Sequence, residues 1–278
     1  MKIEFVTEND GIRLSEELKL HVSRKLYKHI KGFKAKIYVN GIETETYKLI
    51  NKGDRVVVDY IREFETDWPI YESTLDIKYE DDYYLVVNKR AGLLTIPTKA
   101  NPKSLYQELL YYFNQKGYEP TVSILNRLDK ETQGLVLVAK NPIAADKLQP
   151  THKHMTRKYL CMCHGLFDNK ENRININIRR SDDSNKRVIS PDGQEAISNY
   201  KVIDEINNNS LVEFLLETGR THQIRVTCNY LGHPILGDSI YGNDNIDTLH
   251  LYSYYLSFVH PYTNELIEII DKNISWLK

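Results

Sequence analysis

The 278-residue sequence predicts an α+β protein: a large mixed or antiparallel sheet preceded by a smaller, basic αβ unit. Three observations carry this. Short apolar or alternating runs recur between turn signals, as strands do. Helical stretches are few, and each has a recognisable start. Charge is segregated, with a basic stretch followed by an acidic one that marks a boundary.

In chain order, the segment from Leu18 to Ile42 has no Asp or Glu but seven cations: Lys19, Arg24, Lys25, Lys28, Lys31, Lys34 and Lys36. Ser23 is the predicted N-cap of a helix through Lys31, with Gly32 as its stop. On that helix Arg24, Lys28 and Lys31 share one face, and Leu26, Tyr27 and Ile30 supply the packing positions. Lys36 to Gly41 reads as a strand entering a tight turn, and Gly53 to Asp59 as a second strand. From Arg62 to Asp82 eight acids face only Arg62 and Lys78. Such a segment avoids phosphate and suits a linker. The expected organisation is residues 1–61 as a small domain, 62–74 as an acidic linker and 75–278 as the main domain.

Within the main domain, Tyr83 to Asn88 reads as a strand and Ser104 to Asn114 as a helix capped by Ser104. Gly134 to Ala139 is a continuous apolar run, expected to be a strand buried on both faces. Asn141 to Leu148 is a second helix, with Pro142 in its first turn. Arg157 to Gly165 alternates as a strand does. The remainder is short strands separated by turns such as Ser190-Pro191-Asp192-Gly193. Residues 168–177 and 207–209, rich in Asn and Asp, are expected to be surface loops or hairpin tips. No internal repeat is present.

Composition is ordinary for a globular protein. Three cysteines, an odd number, do not make a disulfide framework and suit a reducing compartment. The N-terminal residues have no signal-peptide core, and no run has the length of a membrane span. A cytoplasmic protein without membrane contact is expected. The net charge of −1 excludes a uniformly basic protein, so any anionic partner must meet a local patch.

Asp129 lies between a polar turn and the apolar run, with Arg127 and Lys130 beside it. An acid at the edge of a buried strand is costly unless a cation pairs with it. That makes it a candidate nucleophile or base, although a single Asp more often caps a turn. Cys161 and Cys163 share a strand face while His164 points away, and Cys228 is distant in sequence. A structural zinc site needs four ligands, so core packing is favoured and no metal is expected. Gly237-Asp238-Ser239, with His233 or His260 as partner, has a superficial look of a serine esterase. It lies late in the chain and reads as a turn. No Gly-rich phosphate loop is present.

Several motifs occur in order. They are Val87-Asn88-Lys89-Arg90-Ala91-Gly92-Leu93, Arg127-Leu128-Asp129 with Thr132 and Gly134-Leu135, and Lys158 with Tyr159. Then follow Gly219-Arg220-Thr221-His222-Gln223-Ile224-Arg225, Gly232-His233-Pro234, and Gly237-Asp238 with Tyr241-Gly242. Together they resemble the RluA-like family of pseudouridine synthases, from about Leu75 onward. The N-terminal stretch resembles an S4-type RNA-binding domain at Ser23-Arg24, Ile30, Val39-Asn40-Gly41 and Gly53-Asp54.

The resemblance implies a long bent, mainly antiparallel sheet with a central cleft, and isomerisation of uridine to pseudouridine in structured RNA, ribosomal or transfer. It assigns Asp129 as nucleophile or proton acceptor, Arg225 as its cationic partner and Tyr159 as the residue that stacks on the base. Arg127 would enter the RNA at the vacated position, and Arg157 and Lys158 would hold phosphate. Arg24, Lys28 and Lys31 would add RNA contacts. The reaction exchanges no electrons, so no cofactor is demanded; a monomer is expected. Departures from the motifs are Asn126 for His, Gln133 for Ser, Arg90 for Pro and Thr227 for His. Those at Asn126, Gln133 and Arg90 are what favours the competing reading, a non-catalytic RNA-binding protein with the same fold; the one at Thr227 has no evident chemical consequence.

Overall fold

The structure is a computed structural model that describes residues 2–32, 35–59, 69–118, 122–148, 155–184 and 186–277. Lys34 of the basic run and residues 62–68 of the acidic segment lie outside the described residues.

The N-terminal unit contains β1 (Lys2–Val6), β2 (Ile12–Arg13), α1 (Leu14–His21), α2 (Arg24–Gly32), β3 (Lys36–Val39), β4 (Ile42–Glu43), β5 (Leu49–Ile50) and β6 (Arg55–Asp59). An antiparallel sheet runs in the order β1-β6-β3-β4, and β2 pairs with β5. Leu14, Leu18, Leu26, Ile30, Val56 and Val58 form its core. Ser23 caps α2 as expected: its Oγ accepts the Leu26 N–H at 3.2 Å. Arg24, Lys28 and Lys31 are exposed, away from Leu26 and Ile30. The β3–β4 turn is Asn40-Gly41, both with positive φ (52° and 81°), as a tight hairpin of right-twisted strands requires. Helix α1 has no sequence signal at its start, because Arg13 stands at the cap position and makes no capping bond. Its Glu17 is buried yet satisfied by Thr7 and Asn9.

Residues 69–75 carry no strand or helix. The large unit then contains β7 (Asp76–Glu80), β8 (Tyr84–Lys89), α3 (Leu105–Gln115), β9 (Ser123–Ile124), β10 (Gln133–Ala139), α4 (Pro142–Leu148), β11 (Thr156–His164), β12 (Glu171–Arg180), β13 (Arg187–Ile189), β14 (Gln194–Ile206), β15 (Asn209–Leu216), α5 (Gln223–Tyr230), β16 (Leu251–Val259) and β17 (Leu266–Ile270). Among the described residues the sheet order is β13-β12-β14-β15-β11-β16-β10-β8-β7, with β17 on β16 and β9 on β10. All pairings are antiparallel except β10 with β16, so the sheet is mixed as expected. Bulges at Lys158/Tyr159, Val202/Asp204 and Ile77/Tyr79 add local bends.

Strands β8 and β10 are buried on both faces. Leu85, Val87, Val136 and Val138 pack with α3 residues Leu109 and Phe113. Tyr84, Val86, Leu135 and Leu137 pack on the other side with Leu256 and Phe258. The two units meet at α4, where Ile143 packs on the N-terminal core and the Ser23 N–H donates to Asp146 Oδ2 at 3.0 Å. No described helix is long and apolar enough to cross a membrane.

Two local expectations are corrected. From Glu171 onward the Asn-rich segment is strand, paired with β14 from Glu171↔Lys201 to Ile178↔Gln194. The alternation of Ile174, Ile176 and Ile178 outweighs its polar composition. Ser104 sits at the N-terminus of α3, but its hydroxyl bonds the Gln107 side chain and not a helix N–H. The hairpin tip at Asn207-Asn208 holds, with both residues at positive φ.

Candidate active site

Asp129 lies in a loop fixed on both sides. Thr95 Oγ1 donates to the Leu128 carbonyl at 2.7 Å and accepts the Leu128 N–H at 3.2 Å. Lys89, buried at the end of β8, donates to the carbonyls of Leu93 (2.8 Å), Arg90 (2.9 Å) and Lys130 (3.1 Å). The loop is therefore pinned at Leu128 and Lys130, on either side of Asp129, while its half-buried carboxylate faces the cleft. Burial lowers the Lys89 pKa to about 8, against the charges of Asp129 and Glu131.

Asn126 is buried and braces the same loop: its Oδ1 accepts the Leu137 N–H at 2.7 Å and its Nδ2 donates to the Leu135 carbonyl at 3.2 Å. This is a shaping role that needs no titrating ring, so the loop is built without the motif's usual histidine. Arg90, a second departure, makes a two-point ion pair with buried Glu108 (2.9 and 2.6 Å). Thr227 bonds back to the Gln223 carbonyl within α5. Nothing in the structure explains Gln133.

Three strands converge beneath the cleft. Gly134 of β10 opposes Ser253 of β16, and Ser253 opposes Tyr159 of β11. The approach is close: a Cβ on Gly134 would lie 2.3 Å from the Ser253 carbonyl oxygen, and its φ is +118°. Only glycine fits there. Tyr159 is buried, and burial raises its pKa; Asp129 adds to this and Arg157 opposes it. Its phenol stays protonated at neutral pH.

The far wall is the start of α5. Gln223 is fully engaged, donating to the Ile197 carbonyl and Ser198 Oγ and accepting from the Arg220 N–H and Thr218. His222 precedes the helix in a left-handed conformation (φ 57°). Its Nδ1 lies 2.9 Å from Tyr241 Oη, and burial holds its pKa below the ordinary range, partly offset by Asp129. Arg225 is buried, and its hydrogen-bonded carboxylate is Asp238, not Asp129 as the sequence suggested. Nε and Nη2 donate to Asp238 at 2.8 and 2.6 Å. Asp238 Oδ1 is fixed in turn by the N–H groups of Ile240 and Tyr241. Arg225 also lies over the Tyr241 ring at 5.3 Å. Burial works against its charge, but Asp238, and more weakly Asp129, raise its pKa.

The result is a cleft of about 490 Å³ that brings Asp129, Tyr159, Arg225, Arg127 and Arg157 to one place. Lys158 is elsewhere: it is not among the cleft residues, and its Nζ is 3.4 Å from Glu213 and above Tyr255. The side chains of Arg24, Lys28 and Lys31 belong to the other unit. Thr95, Asp238, His222 and Tyr241 escaped the sequence reading as site residues. The signal for Asp238 was present, since an arginine buried in α5 demands a carboxylate and Gly237-Asp238 was already a matched motif.

Among the described residues, the atoms that could bind a soft metal are the thiols of Cys161, Cys163 and Cys228, which meet inside the main core at 3.6 and 3.7 Å. Cys228 closes this group from α5 despite its distance in sequence.

Residues 83–230 match the family described as RNA pseudouridylate synthase. The chain belongs to that family. It is 35% identical over 253 residues to the uncharacterized RNA pseudouridine synthase YjbO of Bacillus subtilis (strain 168), covering 88% of this chain and 89% of that protein. It is 31% identical over 256 residues to the ribosomal large subunit pseudouridine synthase D of Vibrio parahaemolyticus, covering 84% and 78%. Among solved structures, the human RNA pseudouridylate synthase domain containing 1 superposes with a TM-score of 0.61 at 26% identity, covering 73% of this chain and 85% of that one. The RluA-like resemblance is borne out at family level, and the protein is an RNA pseudouridine synthase, an isomerase that acts on RNA.

Proposed function

We propose that this synthase uses Asp129 as its nucleophile or proton acceptor, on a uridine in structured ribosomal or transfer RNA. The observation that carries the reading is the fixed Asp129 loop opening into a cleft shared with Tyr159 and Arg225. In the isomerisation the C1′–N1 bond breaks, the base turns, and C1′ bonds to C5. N1 gains a proton and C5 loses one, so atoms and electrons balance without a co-reactant. Asp129 stabilises or captures the sugar or base fragment. The neutral ring of Tyr159 supports the turning base, and Arg225, held by Asp238, supplies positive charge to the cleft without leaving its place.

A uridine inside a helix must first leave the stack, at a cost of a few kcal/mol. Arg127, two residues before Asp129, fills the gap in this reading, which its exposure supports. Arg157 lines the cleft as a phosphate ligand, and the exposed Arg24, Lys28 and Lys31 of α2 extend the contact as an S4-like surface. Ribosomal RNA is favoured by the Vibrio relative's name. The same reading takes the protein as a cytoplasmic monomer.

The test is to map pseudouridines in total RNA from cells that lack this protein, then restore either the natural chain or Asp129→Asn. At least one site should vanish, return with the natural chain and stay absent with the variant. Return of the modification with Asp129→Asn refutes the assignment. An unchanged map with the natural chain absent points instead to a protein that binds RNA without turnover.

A further inference from the structure

A second pocket of about 360 Å³ adjoins the catalytic cleft and shares Gly219, Arg220 and Thr221 with it. Its other wall is the β12–β13 hairpin. Four arginines line it, Arg179, Arg180, Arg187 and Arg220, against one carboxylate, Asp192. That density of one charge is notable in a chain with net charge −1.

The arginines are not alike. Arg179 is already neutralised, with its guanidinium on Asp182 at 2.9 and 3.2 Å and its Nε 3.4 Å from Asp192. Arg220 is exposed, and among the described residues its guanidinium uses only Nε, on the Glu195 carbonyl. Arg187 is half-buried, and its Nη1 is shielded from solvent without a hydrogen-bond partner among the described residues. A guanidinium nitrogen withdrawn from water and left unpaired is costly, and an anion relieves that cost. Arg187 is also tied to the catalytic wall, because its backbone N–H donates to Tyr241 Oη at 2.8 Å, the same hydroxyl that meets His222. Among the described residues no aromatic side chain lines the pocket, so guanidinium groups, which pair with phosphate and can also lie flat on a base, are what it offers to RNA. Its chemistry suits sugar and phosphate. At the junction, Gly219 leaves room for Arg157, whose Nη1 would lie 3.1 Å from a Cβ there.

We propose that this pocket holds the backbone of the nucleotides next to the target uridine, with Arg187 and Arg220 as phosphate ligands. The track runs from Arg157 in the cleft past Gly219 to the β12–β13 hairpin. It rests on reading the main cleft as the active site, and it adds a sequence-independent grip on one flank of the flipped nucleotide.

The test measures binding in an Asp129→Asn background, with a short fluorescent oligouridylate as probe over a range of salt. Each lost phosphate contact on a single strand flattens the slope of log affinity against log salt by about 0.7. Arg187→Gln with Arg220→Gln should flatten it by about 1.4 and weaken binding about tenfold or more at low salt. Arg220→Gln alone, at an exposed position, should give about half the change and guards against a folding artefact. Replacement of both by Lys should keep most of the slope. Arg173→Gln, which removes a β12 cation paired with Glu217 outside the pocket, should leave it unchanged. Unaltered slopes in both Gln variants overturn the proposal. Because the readout is binding, loss of the Asp129 assignment would leave this result standing, and an active enzyme with unaltered slopes would sink this inference alone.

Discussion

At the residue scale, the partner of Arg225 decides how the site is held. With Asp238 as its two-point partner, Arg225→Met leaves a buried carboxylate unpaired, which costs about 3–5 kcal/mol. Adding Asp238→Asn should recover part of that loss, since the amide oxygen still accepts the Ile240 and Tyr241 N–H groups. Adding Asp129→Asn should recover little. Urea denaturation of the three variants checks this, and recovery by Asp129→Asn in place of Asp238→Asn would restore the pairing first inferred from sequence. Lys89 makes a second residue-scale prediction, about pH. Its folded pKa is about 8 against an ordinary 10.5. Between these values the unfolded chain binds more protons than the folded one, so this group adds stability as pH rises from about 8 towards 10.5. Denaturation midpoints across that window should show the increment, and Lys89→Met should flatten it. A natural protein and a Lys89→Met variant with the same pH dependence would contradict the buried-ammonium assignment. Asp129, Tyr159 and Arg225 were legible because each sits in a motif. The Asp238 contact was signalled only indirectly, by the Gly237-Asp238 motif and a buried arginine's need of a carboxylate, because hydrogen bonding between a helix and a turn thirteen residues away leaves no periodic mark.

At the element scale, the parallel step between β10 and β16 depends on one missing side chain. Gly134→Ala would place a methyl group 2.3 Å from the Ser253 carbonyl at a φ that L-residues rarely adopt. We expect a loss of more than about 3 kcal/mol, from overpacking and backbone strain together. Chemical denaturation measures it, and a loss below about 1 kcal/mol would show that β16 can shift aside. Helices α2, α3 and α4 and strands β8, β10 and β11 were readable from caps and apolar runs. Helix α1 was not, because its start lacks a cap and its Glu17 is buried by tertiary bonds. Strand β12 was hidden by composition, although its isoleucine alternation was there to be counted.

At the scale of the whole molecule, weak net charge and strong local charge coexist. Arg24, Lys28 and Lys31 form an exposed face on the N-terminal unit, which touches the large unit at Ser23 and Asp146. Replacing the three by Gln should flatten the salt dependence of RNA binding by up to about three phosphate contacts. Turnover on saturating RNA should change much less. A titration of affinity against salt decides it, and an unaltered slope would mean that this face does not meet RNA. The charge segregation could be read from sequence, whereas the seating of the small unit on α4 could not, since it depends on contacts between residues far apart in sequence, such as Ile143 on the N-terminal core and the Ser23 N–H on Asp146.

Strand β16 also imposes an order of events on a growing chain. Strands β10 and β11 are neighbours in sequence, yet β16 lies between them, and it is translated about ninety residues after β11 ends. Until that late strand leaves the ribosome, the Asp129 loop and Tyr159 have no common frame, and the facing edges of β10 and β11 await their partner. Emerging chains tend to fold in sequence order, and unpaired strands are aggregation-prone while they wait. A half-made chain therefore lacks the assembled cleft, and its unpaired strand edges stay exposed until β16 arrives.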